Sequence, residues 1–137
     1  MTCRSNHDIF TTTDDIVWER GGWMISSDII RGYNDTMILF ILLKEPSYGY
    51  EISKQIKEIT EEKYIMKETT LYSAFKRLES NGYVESFKSD ESYGKPRTYY
   101  RITDEGIKHY QSKCDEWEVT KEVVNKFIDK ELNNGHN

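Results

Sequence analysis

The chain has 137 residues, of which 36% are hydrophobic and 31% charged, with a formal net charge of −5. These values suit one globular domain with a thin core, and the longest apolar run, Met37 to Leu43, is too short to cross a bilayer. Two distant cysteines, Cys3 and Cys114, form no CxxC pair, which argues against a disulfide framework and for a reducing, cytoplasmic setting.

Residues 1–23 are polar and lack a clear period. They read either as a flexible tail or as an extension ahead of a true start at Met24. A first helix is expected over about Asp28 to Lys44, with Ile30, Tyr33, Met37, Phe40 and Ile41 at helical spacing. Ile38, Leu39, Leu42 and Leu43 widen its apolar surface, so burial on nearly all sides is expected. Glu45-Pro46 ends it. Ser47 is the expected N-cap of a second helix, Tyr48 to about Ile59, whose inner stripe is Ile52, Ile56 and Ile59. A short extended piece is allowed at Tyr64–Met66. The third helix spans about Glu68 to Ser80, with Leu71, Phe75 and Leu78 inward and a left-handed cap at Asn81-Gly82.

A strand from Tyr83 to Lys88, a tip at Ser89–Gly94 and a return strand at Arg97–Ile102 make a β-hairpin. Thr103 then caps a final helix running to about Leu132. Ile107, Tyr110, Cys114, Trp117, Val124 and Ile128 follow a 3–4 spacing on it, broken by Lys121, and Val119, Val123 and Phe127 form a flanking row. Two apolar rows require two covering surfaces. The first helix of the same chain can supply one, and a second copy of the protein is expected to supply the other.

The resulting fold class is mostly α with a small β-hairpin: a winged helix-turn-helix over residues 24–102, a C-terminal dimerisation helix over 103–132 and a short tail at 133–137. Charge supports a DNA-binding centre. Residues 63–101 contain eight Lys or Arg against five Asp or Glu, whereas 103–137 contain five Lys against eight acids. In such a fold the outward residues of the third helix, Thr69, Thr70, Tyr72, Ser73 and Lys76, meet base edges and phosphates in the major groove. Arg77 has two readings, a phosphate contact or an ion pair within the fold. Lys95 and Arg97 flank Pro96 beside the hairpin tip, where two cations on a stiff projection suit phosphates or a minor groove.

Enzyme chemistry finds no support. The chain lacks GxGxxG, P-loop, GxSxG and HExxH patterns, and His7, His109 and His136 stand outside metal-ligand spacing. His109 is expected to face solvent. No cofactor is expected.

The ordered set Tyr48-Gly49-Tyr50-Glu51-Ile52, Thr70-Leu71-Tyr72, Lys76-Arg77-Leu78-Glu79 with Gly82, and Gly94-Lys95-Pro96-Arg97 with Tyr99-Tyr100 and Thr103 resembles the PadR family of bacterial transcriptional regulators. The single C-terminal helix is similar to that of its small subfamily. Thr69 stands where that family usually has Gly, and Ser73 where Pro is common. The resemblance implies a homodimeric repressor of an operator in double-stranded DNA, with no membrane association. It further implies release by a small aromatic effector or a stress signal, with Trp117 at the place of an aromatic that lines a pore between subunits. Two alternatives stand beside it: a winged-helix module for protein contacts, and an aromatic-compound-binding protein without operator binding.

Overall fold

The computed structural model describes residues 18–19, 22–89 and 96–128. Its elements are the short strands β1 (Trp18–Glu19) and β2 (Gly22–Trp23), α1 (Ser27–Ile30), a 3-10 turn (Arg31–Tyr33), α2 (Asn34–Lys44), β3 (Ser47–Tyr48), α3 (Gly49–Ile59), α4 (Glu68–Ser80), β4 (Val84–Ser89), β5 (Arg97–Ile102) and α5 (Asp104–Asn125). β1 and β2 pair antiparallel. The other three strands form an antiparallel sheet in the order β3-β5-β4. Mostly helical, with a three-stranded sheet and a long C-terminal helix, the molecule has the expected winged helix-turn-helix form.

The core forms where α2, α3 and α4 meet. Ile38, Leu39, Ile41 and Leu42 come from α2, Ile52 and Ile56 from α3, and Leu71, Ala74, Phe75 and Leu78 from α4. Val84 closes it from β4, and Tyr64 and Met66 from the connecting loop. The alternating burial of Tyr64 and Met66 resembles a strand, but this segment joins no sheet. The loop turns through positive φ at Glu61 and Glu62. Thr60 steadies it, because its hydroxyl bonds both the carbonyl and the N–H of Tyr64. Such backbone is costly for non-glycine residues and persists only where surrounding contacts hold it.

The structure corrects several element expectations. The first helix is not continuous from Asp28 to Lys44: a short α1 and a 3-10 turn precede α2. Gly32 weakens the helix there, and Tyr33 leaves helical geometry at φ −118° and ψ 6°. The buried Asn34 then sets the start of α2, accepting a 2.7 Å hydrogen bond from the Tyr64 hydroxyl. Nor is α2 buried all round, since Phe40 and Leu43 are exposed. Ser47 is a buried residue of β3 and not a cap. α3 begins at Gly49 after Tyr48, which makes no side-chain cap bond. A two-residue strand is too short for periodicity to reveal. Ile59, the last residue of α3, is 57% exposed, unlike Ile52 and Ile56.

α4 has its expected bounds, and Thr69 and Ser73 do not disturb them. Its end is a Schellman closure: the Gly82 N–H donates to Glu79 and the Tyr83 N–H to Leu78, with Gly82 at φ +79°. Thr103 caps α5 as expected. Its hydroxyl accepts from the Gly106 N–H and donates to the Gly82 carbonyl, tying the end of α4 to the start of α5. α5 closes at Asn125, short of the expected Leu132, which lies outside the described residues, as do positions 90–95 of the expected hairpin tip and the tail at 133–137. Ser89, expected in the tip, instead ends β4 opposite Arg97, and within the expected N-terminal tail Trp18–Glu19 and Gly22–Trp23 pair as β1 and β2.

Candidate nucleic-acid interface

α4 turns Leu71, Ala74, Phe75 and Leu78 into the core. That leaves Thr69, Tyr72, Ser73, Lys76 and Arg77 outward, with Thr70 half-buried. The separation follows from helical geometry, since residues three or four apart share a face. Tyr72 is 49% exposed, so it is not a core aromatic. Its ring sits edge-on to Phe75 at 5.6 Å, and Phe75 stacks on Tyr100 of β5 at 3.9 Å. This aromatic series fixes α4 against the sheet. Gly49 leaves room for the Tyr72 hydroxyl: a β-carbon there would lie 2.6 Å from that oxygen.

The wing meets α4 across a cleft of about 390 Å³ lined by Tyr48, Gly49, Tyr50, Tyr72, Arg97, Thr98 and Tyr100. Arg97 places its guanidinium carbon 4.0 Å from the centre of the Tyr48 ring, and Tyr48 packs on Tyr99 at 5.2 Å. A cation held over an aromatic face keeps its edge donors free for an anion. Arg97 and Tyr72 therefore line one cleft although 25 positions separate them in sequence. Lys95 lies outside the described residues. The other hairpin cations are engaged within the fold. Lys88 donates to the Thr98 hydroxyl at 2.8 Å, and Arg101 pairs with Glu85 across the β4–β5 register while lying over Phe87.

Tyr48 and Tyr50 are the cleft residues that the residue-by-residue reading missed. Tyr50 is 71% exposed at the first turn of α3. Two aromatics flanking a glycine at a helix start were visible, but their tie to the wing depends on β3 pairing with β5, which places Tyr48 opposite Tyr99.

Of its two readings, Arg77 takes the ion pair. Its Nε and Nη2 donate to the two carboxylate oxygens of Asp35, at the start of α2. This pairing raises the Arg77 pKa above its ordinary value, against the opposing effect of burial. A second cleft, of about 590 Å³, runs along this side of α4. Thr69, Thr70, Ser73 and Arg77 line one wall, and Arg31, Asn34 and Asp35 belong to the other.

On α5, Ile107, Tyr110 and Cys114 are half-buried within the chain, and Tyr110 packs near Phe40 at 6.4 Å. Trp117 is 43% exposed and contacts Tyr33 edge-on at 5.3 Å, while Val124 and Ile128 are exposed. His109, expected toward solvent, is half-buried and stacks on Tyr83 at 4.1 Å, because the first turns of α5 lie against the start of the hairpin. Among the described residues, no group of three or more His, Cys, Asp or Glu could hold a metal ion, and no helix is long and apolar enough to cross a membrane.

Comparison with known proteins agrees with this geometry. The model of the transcriptional regulator PadR-like family matches residues 38–112. An uncharacterised protein of Lysinibacillus sphaericus is 42% identical over 106 residues, covering 77% of this chain and 97% of that protein. A transcriptional regulator structure from Clostridium thermocellum is 62% identical with a TM-score of 0.71, covering 75% of this chain and all of that one. A PadR family transcription regulator from Clostridium difficile is 42% identical with a TM-score of 0.62, over 72% of this chain and all of that one. The chain belongs to the PadR-like family of transcriptional regulators, which are not enzymes.

Proposed function

We propose that this protein is a homodimeric repressor that binds operator DNA in the cytoplasm. The observation that carries this reading is the joint presentation of Tyr72 on α4 and Arg97 on β5 at one open cleft. Thr69, Thr70, Ser73 and Lys76 read the major groove beside it, and Lys95 and Arg97 hold flanking phosphates. Tyr50 adds a hydroxyl at the same edge. The domain division follows: residues 24–102 bind DNA, and the segment from 103 to 132, capped at Thr103 and carrying α5, dimerises.

The dimer reading is supported by apolar surface left uncovered in one chain. Val119, Val123 and Val124 on α5 and Phe127 and Ile128 just beyond it are exposed, as are Phe40 and Leu43 on α2. Together they form the surface that a second copy of α5 covers. Ile107, Tyr110, Cys114, Trp117, Val124 and Ile128 make up the seam. A small aromatic effector stacks on Trp117 in this reading, and its binding alters the spacing of the two recognition helices.

The test is a gel shift with DNA upstream of the protein's own gene, repeated across salt concentrations. Retarded DNA with steep salt dependence is expected. Absence of any shift, with that DNA and with random duplex, refutes the operator reading. Planar aromatics titrated against wild type and Trp117→Ala test the effector. Equal affinities reduce Trp117 to a packing residue.

A further inference from the structure

Arg77 lies four and seven residues beyond Ser73 and Thr70, close to the helical face that those hydroxyls occupy, and shares their cleft. In the DNA-binding reading, a free guanidinium on this face of α4 is available to a DNA backbone. Arginine's planar fork suits phosphate as well as it suits carboxylate. In this chain the fork is already filled. Asp35 accepts from Nε and from Nη2, the same bidentate geometry that a phosphate would use.

Asp35 is poorly placed to follow Arg77 out of this pair. It occupies the first turn of α2, where the helix dipole favours a carboxylate. Asn34, next to it, is fixed by the buried hydrogen bond from Tyr64. The Asp35 side chain is also more enclosed than that of Arg77. Exchanging this carboxylate for a phosphate would leave Asp35 close to the polyanion it had just lost its partner to.

We infer that Asp35 is a specificity-determining residue for DNA binding: it occupies the Arg77 guanidinium and so withholds one sequence-independent phosphate contact from the recognition helix. The inference rests on the DNA-binding reading above. Phosphate contacts strengthen operator and random DNA alike, whereas base contacts separate them. Because random sites vastly outnumber an operator, removing one indiscriminate contact improves discrimination. Asp35 acts through Arg77 and is thus a positioning residue.

The experiment measures binding of full-length protein to a labelled random-sequence duplex and to the upstream duplex, across salt. Wild type, Asp35→Asn, Arg77→Ala and the double variant are compared. Asp35→Asn is expected to bind random duplex more tightly, with a salt slope steeper by about 0.9, or roughly an extra 3.5-fold loss between about 50 and 200 mM salt. The ratio of upstream to random affinity falls. Arg77→Ala and the double variant keep the wild-type slope. A merely structural brace would only weaken binding when broken, so a gain in affinity separates the two roles. The inference is overturned if folded Asp35→Asn shows an unchanged slope, or if Arg77→Ala lowers the slope by about 0.9, since Arg77 would then already sit on phosphate. If Asp35→Asn shows no cooperative melting, the Arg77→Ala slope alone decides. Wild type that binds neither duplex refutes the operator reading, and this inference with it.

Discussion

On α4, the apolar residues Leu71, Ala74, Phe75 and Leu78 are all inside the molecule. On α5, Trp117, Val119, Val123 and Val124 remain exposed, and Phe127 just beyond its end is 80% exposed. Both helices carry apolar stripes, and α5 follows β5 directly through its cap Thr103. The difference lies in what surrounds them. α4 crosses α2 and α3 and is backed by the sheet through the Phe75–Tyr100 stack. On the second half of α5, Trp117 meets Tyr33 at one ring edge, while Val119, Val123 and Val124 stay exposed. An apolar stripe states that a surface must be covered. It does not state whether the cover is intramolecular.

The largest break in this contrast is Phe75→Ala. Loss of a fully buried ring between Tyr72 and Tyr100 is expected to destabilise the fold by about 3–5 kcal/mol. Urea denaturation should show this as a lower midpoint. Val124→Asp with Ile128→Asp puts comparable energy at stake on the other helix, but in association only. In the proposed seam, unpaired buried charges cost about 3–5 kcal/mol of dimer stability. Sedimentation should show a folded monomer, and a folded dimer would remove this half of α5 from the interface.

Gly106→Ala tests the place where α5 still belongs to the body of the fold. A β-carbon there would sit 2.1 Å from the Tyr83 carbonyl oxygen, and backbone cannot yield as a side chain can. A loss of about 1–3 kcal/mol is expected on thermal melting, as for an overpacked core. Stability equal to wild type would mean that even the first turn of α5 is loosely held. The smallest effect belongs to Tyr72→Phe, which keeps the ring and removes one exposed hydroxyl. Melting should be unchanged, while affinity for the operator falls about fivefold, near 1 kcal/mol, and affinity for random duplex falls less. Equal losses on both duplexes would make Tyr72 a backbone contact.

How much of the candidate site was legible follows from the range of the interactions involved. The outward set on α4 could be read from the spacing of Leu71, Phe75 and Leu78, because a helix fixes its faces locally. Thr103 as a cap and Gly82 as a helix stop were equally local. The break before α2 was not legible, since it depends on Asn34 meeting Tyr64 thirty residues away. The union of Tyr48 with Arg97 and the capture of Arg77 by Asp35 were hidden for the same reason.

By itself, therefore, the order of residues determined the helix-turn-helix, the hairpin, the inner face of α4 and the family. These rest on periodicity, capping and turn chemistry within a few neighbouring residues. Only the tertiary structure decided that β3 joins the wing, that Tyr50 and Tyr72 border one cleft with Arg97, that His109 stacks on Tyr83, and that Arg77 is held by a carboxylate from α2. Each of these is a meeting of distant segments, set by which apolar faces pack together, and local propensity carries no record of that choice.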